Sequence, residues 1–181
     1  MKKVLVTSML ITVLGSASAF ANTYVSASAG IGLPNKWQET GYTTDVDTNL
    51  AINGAIGYDF GSTRMEASAG YQKHDHTNTS EDFSVLSFMA NGYYDFHGMS
   101  NVTPYLMAGA GIGSFNVSWD TRNASSFIWQ VGAGMGIKID KNLSFDFGYR
   151  YLKPEGLVCP TDGNKITWSS NNFLVGLRYG F

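Results

Sequence analysis

The chain has 181 residues and a formal charge of −2, with 14% charged and 14% aromatic residues. The slightly acidic balance excludes the basic footprint of a nucleic-acid binder, and a single cysteine, Cys159, excludes an internal disulfide framework. Charged residues fall well below the usual quarter or so, while there are 21 glycines and only four prolines, a profile that fits a closed β-structure in an exported chain.

Residues 1–21 have the three parts of a secretory signal. Lys2 and Lys3 open it. An apolar run over residues 4–14 follows, and Ala19-Phe20-Ala21 places small residues at the two positions a signal peptidase reads. The run is too short for a spanning helix, which needs about 20 residues. Cleavage is expected after Ala21, which leaves residues 22–181 as one domain with ten basic and fourteen acidic residues.

Period-2 alternation then runs through the rest of the chain. Residues 23–32 set Val25, Ala27, Ala29 and Ile31 against Tyr24, Ser26, Ser28 and Gly30. Residues 49–60 set Ile52, Ile56, Tyr58 and Phe60 against Asn53, Ala55, Gly57 and Asp59. Residues 63–73 set Met65, Ala67, Ala69 and Tyr71 against Arg64, Glu66, Ser68 and Gln72. Residues 82–96 set Leu86, Phe88, Ala90, Tyr94 and Phe96 against Ser87, Asn91, Tyr93 and Asp95. Residues 103–115, 126–139, 143–153 and 171–181 repeat the pattern, with glycine and isolated charges on the second face. In the last segment Phe173, Val175, Leu177, Tyr179 and Phe181 share the apolar face.

These eight segments read as the strands of an all-β, antiparallel, up-and-down transmembrane barrel. A solvated sheet would carry Lys, Glu and Thr on its polar face; glycine with isolated charges suits a narrow lumen better, and an apolar face that is aromatic at its ends suits lipid. Each segment reaches the roughly 9 to 11 residues that a tilted strand needs to cross hydrocarbon. The barrel must close, because an open edge would leave backbone groups unpaired in lipid at several kcal/mol each. Connections 61–62, 97–102 and 140–142 are short, while 33–48, 75–81, 116–125 and 154–170 are longer. Short turns belong on the periplasmic side and long loops outside, so both termini are expected in the periplasm.

Three stretches resemble a known family: TPYLMAGAGIG at 103–113, WQVGAGMGIK at 129–138 and LSFDFGYRY at 143–151. They are similar to the opacity-type, outer-membrane-protein-A-like superfamily of small eight-stranded porin-like barrels. The closing GLRYGF at 176–181 resembles the signal that the barrel assembly machinery reads in that family, which implies an assembly role for Phe173, Leu177, Tyr179 and Phe181. The resemblance implies residence in the outer membrane, in contact with its lipids. Known members include anchors, adhesins, serum-resistance proteins, antigens and candidate porins. Because the sequence stops at Phe181, the anchoring role of longer members is not expected.

Glu66, Lys138, Asp146, Arg150 and Arg178 fall on lumen faces and are expected to pair there. An eight-stranded lumen is just wide enough for side chains to fill, so a polar plug is the simpler reading and a narrow gated pore the alternative. His74, Asp75 and His76 could bind a metal, but such sites usually need three or four ligands; the remaining histidine, His97, is expected at the opposite end. Cys159 lies in the last long loop with no basic neighbour in sequence to activate it. Trp37, Trp119 and Trp168 lie among polar residues in the long loops, where exposed aromatics can form contact surfaces. The reading is a non-catalytic, monomeric surface barrel without cofactor, structural or adhesive through its external loops, that meets a host or environmental ligand. A small-solute porin and a lipid A-modifying enzyme are the alternatives.

Overall fold

A computed structural model describes residues 22–35, 37–39, 42–44, 49–74, 83–98, 101–117, 124–156 and 168–181. Ten strands follow in chain order. They are β1 (Thr23–Pro34), β2 (Trp37–Glu39), β3 (Tyr42–Thr44), β4 (Asn49–Asp59), β5 (Thr63–His74), β6 (Phe83–Asp95), β7 (Val102–Val117), β8 (Ala124–Lys138), β9 (Leu143–Glu155) and β10 (Ser170–Gly180).

Eight of them close into one barrel in which every neighbouring pair is antiparallel, and β2 and β3 form a separate two-stranded ribbon. Closure is made by β10 on β1, with Tyr24 opposite Gly180 and Ala29 opposite Val175. No barrel strand keeps a free edge, which removes the cost of unpaired backbone in lipid. The shortest barrel strands, β4 and β10, have 11 residues. At about 3.3 Å per residue such a strand spans roughly 36 Å, or roughly 26 Å when tilted by about 45°, close to the apolar height of a barrel of this kind.

Burial is inverted relative to a soluble protein. Leu106, Ile112, Phe88, Met65, Val175 and Leu177 are exposed on the outward face, while Arg64, Glu66, Asn91, Asp95, Gln130 and Asn172 are buried inside. The alternation in the sequence places both sets, because successive residues of a strand point to opposite faces. Outward aromatics pair two residues apart at the short-turn end: Tyr58 with Phe60 at 4.7 Å, Tyr94 with Phe96 at 5.0 Å, and Tyr179 with Phe181 at 5.5 Å. Nearer the other end Trp129 meets Tyr151 at 5.7 Å and Tyr149 meets Phe173 at 5.3 Å. These are the two aromatic girdles of a barrel that sits at two membrane interfaces.

The first short turn is held by local chemistry. Gly61 takes a φ of +95°, open to glycine at little cost, and its N–H donates to Asp59 Oδ1 at 2.7 Å. Strands β7 and β8 run about two residues further than the alternation predicts, and the β2–β3 ribbon was not anticipated. Its sequence, Trp-Gln-Glu opposite Tyr-Thr-Thr, is aromatic and β-branched, but three residues are too few for a periodic signal.

Candidate functional site

The lumen is layered along the barrel axis. At the short-turn end a polar mouth of about 280 Å³ is lined by Asp59, His97, Lys138, Lys141, Arg178 and Phe181, among others. Lys138 belongs to this exposed rim, not to the interior charge cluster.

Above it sits an ionic belt. Arg64 donates through Nε and Nη2 to the two oxygens of Asp95, at 2.7 and 2.9 Å, and both side chains are buried. This two-pronged geometry is the strong form of the interaction. The Arg64 guanidinium also lies 4.4 Å from the ring centre of Tyr93 and 5.3 Å from that of Tyr105, within cation–π range. A second pair joins Arg178 to Asp146 through Nε at 3.1 Å.

Glu66 is the hub of the belt. Its Oε1 accepts from Tyr93 OH at 2.9 Å and from Asn91 Nδ2 at 3.3 Å, and its Oε2 accepts from Tyr24 OH at 3.3 Å. Arg150 Nη2 donates to the Tyr93 hydroxyl at 3.4 Å, so one phenol links Arg150 to Glu66. Gln130 Nε2 donates to Asn91 Oδ1 at 2.7 Å and extends the chain across the lumen. Inward glycines make this packing feasible. A Cβ at Gly57 would run into the Tyr24 ring, and one at Gly134 would meet the Tyr105 ring.

Two cavities of about 30 Å³ lie further along. The lower is lined by Glu66, Tyr93, Tyr105, Asp146 and Arg178; the upper by Asn53, Gln72, Ser87, Gln130, Leu152 and Asn172. Arg150 lines both. At the long-loop end Val85, Phe115, Ile128 and Trp168 are all 2% exposed or less, beside the buried Ser126, Ser169 and Ser170.

The structure therefore brings Glu66, Asp146, Arg150 and Arg178 into one interior cluster. It adds Arg64 and Asp95, which lie on inward faces of the alternation but carry no sign of their pairing in the sequence. Trp168 requires a correction. It was expected among the external loop contacts, yet it is only 1% exposed and meets Phe115 edge-on at 6.2 Å. Its position agrees with this: Trp168 has the parity of the inward residues Ser170, Asn172 and Leu174, and Ser169 between them is buried as well. The backbone of Trp37 begins β2, while Trp119, Cys159, Asp75 and His76 lie outside the described residues. His74 ends β5 at the long-loop end and His97 lies at the short-turn mouth, so these two do not meet. Phe173, Leu177 and Tyr179 all point outward from β10.

Comparison with known proteins agrees with this architecture. The outer membrane protein PagN of Salmonella typhimurium is 24% identical over an alignment that covers 92% of each chain. Among solved structures, Neisserial surface protein A superposes with a TM-score of 0.72 at 23% identity, over 89% of this chain and 98% of that one. Ail, the attachment invasion locus protein of Yersinia pestis, was solved in complex with the heparin analogue sucrose octasulfate. It superposes with a TM-score of 0.52 at 20% identity, over 88% of this chain and 99% of that one. The family model for the outer membrane protein beta-barrel domain matches residues 7–181, and the chain belongs to that family.

Proposed function

We propose that this outer-membrane barrel is a non-catalytic surface protein that contacts a ligand or a cell surface through its four long connections. The observation that carries this reading is the asymmetry of the two ends. Connections 35–48, 75–82 and 156–169, joined on the same side by 118–123, are longer than 60–62, 96–101 and 139–142 on the other, with only 118–123 as short as 96–101. Loops carry function when a rigid scaffold positions them, and in such barrels the longer loops face outward from the cell. The attachment role named for Ail supports the same reading.

The chemistry of the contact need not follow Ail. The four long connections hold eight acidic residues (Glu39, Asp45, Asp47, Asp75, Glu81, Asp82, Asp120 and Asp162) against Lys36, Arg122 and Lys165. A surface of that sign repels a sulfated polysaccharide and favours a basic or cation-bridged partner.

Binding of whole cells to immobilised host-cell or matrix surfaces tests the proposal. Deletion of residues 36–48, which carry Trp37, or of 118–123, which carry Trp119, is expected to reduce binding and leave a folded barrel. Unchanged binding after both deletions removes the adhesive reading. Lipid A mass spectra are expected to be unaffected by expression of the protein; a change that His76→Ala abolishes replaces this reading with an enzymatic one.

A further inference from the structure

We propose that the barrel is a closed conduit whose seal is the apolar cap around Trp168, not the ionic belt. The two layers differ in what water can do to them. The belt consists of charged and hydroxyl groups, which water or a passing ion can solvate in place of their present partners. The cap presents the side chains of Val85, Phe115, Ile128 and Trp168, and the hydroxyls that border it are already engaged, Ser126 Oγ donating to the Glu155 carbonyl and Ser170 Oγ to Asn172 Oδ1. A polar or charged species entering it therefore loses its hydration with little compensation. Hydrophobic constrictions close pores in this way, by excluding water.

The positions are consistent with a stopper at one end. On two strands the cap residue sits one inward position beyond a residue that lines the upper cavity: Val85 beyond Ser87 on β6 and Ile128 beyond Gln130 on β8, each nearer the long-loop end, with Ser170 bordering them beyond Asn172 on β10. Phe115 and Ile128 converge over Gly113, where an added Cβ would lie 3.1 and 3.2 Å from them. Below the cap, the two cavities of about 30 Å³ are each large enough for a water molecule, and Arg150 stands between them. Polar groups line the path at each level from the short-turn mouth up to the cap, joined in the upper cavity by Met89, Leu152 and Leu174.

Trp168 is the cap residue that lies outside the barrel strands. It precedes β10 and takes no part in the ladder. Its neighbour Ser169 is fastened to the end of β1: Asn35 N–H donates to the Ser169 carbonyl at 2.8 Å, and Asn35 Nδ2 donates to Ser169 Oγ at 2.7 Å. Withdrawing Trp168 would strain that latch and break its edge-on contact with Phe115, and the ladder of β10, which begins at Ser170, does not depend on it.

The test is ion conductance of the purified full-length protein in planar bilayers, with folding of each variant verified by heat-modifiable gel mobility. Wild type and Trp168→Phe are expected to be silent. Trp168→Ala is expected to give reproducible unitary steps, and Asn35→Ala, which keeps every cap side chain, to give brief openings of the same size. Phe115→Ala probes the same layer should Trp168→Ala fail to fold. The double variant Arg64→Ala/Asp95→Ala is expected to stay silent. Silence of both folded cap variants overturns the proposal, as does conductance from the Arg64/Asp95 variant.

Discussion

Arg64 and Asp95 are 3% and 4% exposed and bind each other through two short hydrogen bonds. Removing one member strands a buried charge, which costs about 3–5 kcal/mol, whereas removing both takes away the cost together with the attraction. Arg64→Ala and Asp95→Ala are each expected to lose that much stability in urea unfolding from vesicles. The double variant should lose no more than the worse single one, and additive losses would show that the pair is not coupled. The sequence showed both residues on inward faces but did not join them. Their closeness follows from register: Arg64 lies opposite Tyr93, two residues from Asp95, just above two successive short turns. Trp168 reads as a loop residue because regular hydrogen bonding begins only at Ser170, although it shares the parity of the inward residues 170, 172 and 174. The Glu66 hub was only half legible. The inward face named Glu66, Asn91 and Tyr93, but the link through the Tyr93 hydroxyl to Arg150 spans 57 residues of chain and depends on barrel curvature.

At the scale of the strand, the apolar face is set by what surrounds it. Ala67, Ala90 and Ala110 form one outward row across β5, β6 and β7. An arginine in that mid-strand row would meet hydrocarbon. Ala90→Arg is expected to cost about 2–4 kcal/mol of folding free energy into a bilayer, whereas Phe96→Arg, near the interface, costs roughly 0–1 kcal/mol for its charge. Equal costs at the two depths would contradict the placement of the apolar band. Strands were the most legible level of this protein, because a period of two is repeated over ten or more residues in each of eight segments. The β2–β3 ribbon escaped notice because two runs of three residues carry no periodicity.

At the scale of the whole molecule, closure depends on β10, which pairs with β1 on one side and β9 on the other. Its last residue still bonds into the sheet, with the Phe181 N–H donating to the Thr23 carbonyl at 3.0 Å. Deletion of Phe181 is expected to lower the outer-membrane yield and leave the external loops unchanged; a yield equal to wild type would argue against an assembly role for that end. The central claim is a closed, membrane-embedded barrel. Electrophoretic mobility of the protein extracted from isolated outer membranes, compared before and after boiling in detergent, tests it most directly. The account predicts two different mobilities, because a closed ladder resists detergent until it is heated. A single mobility under both conditions, with the protein recovered in the soluble fraction, would contradict it.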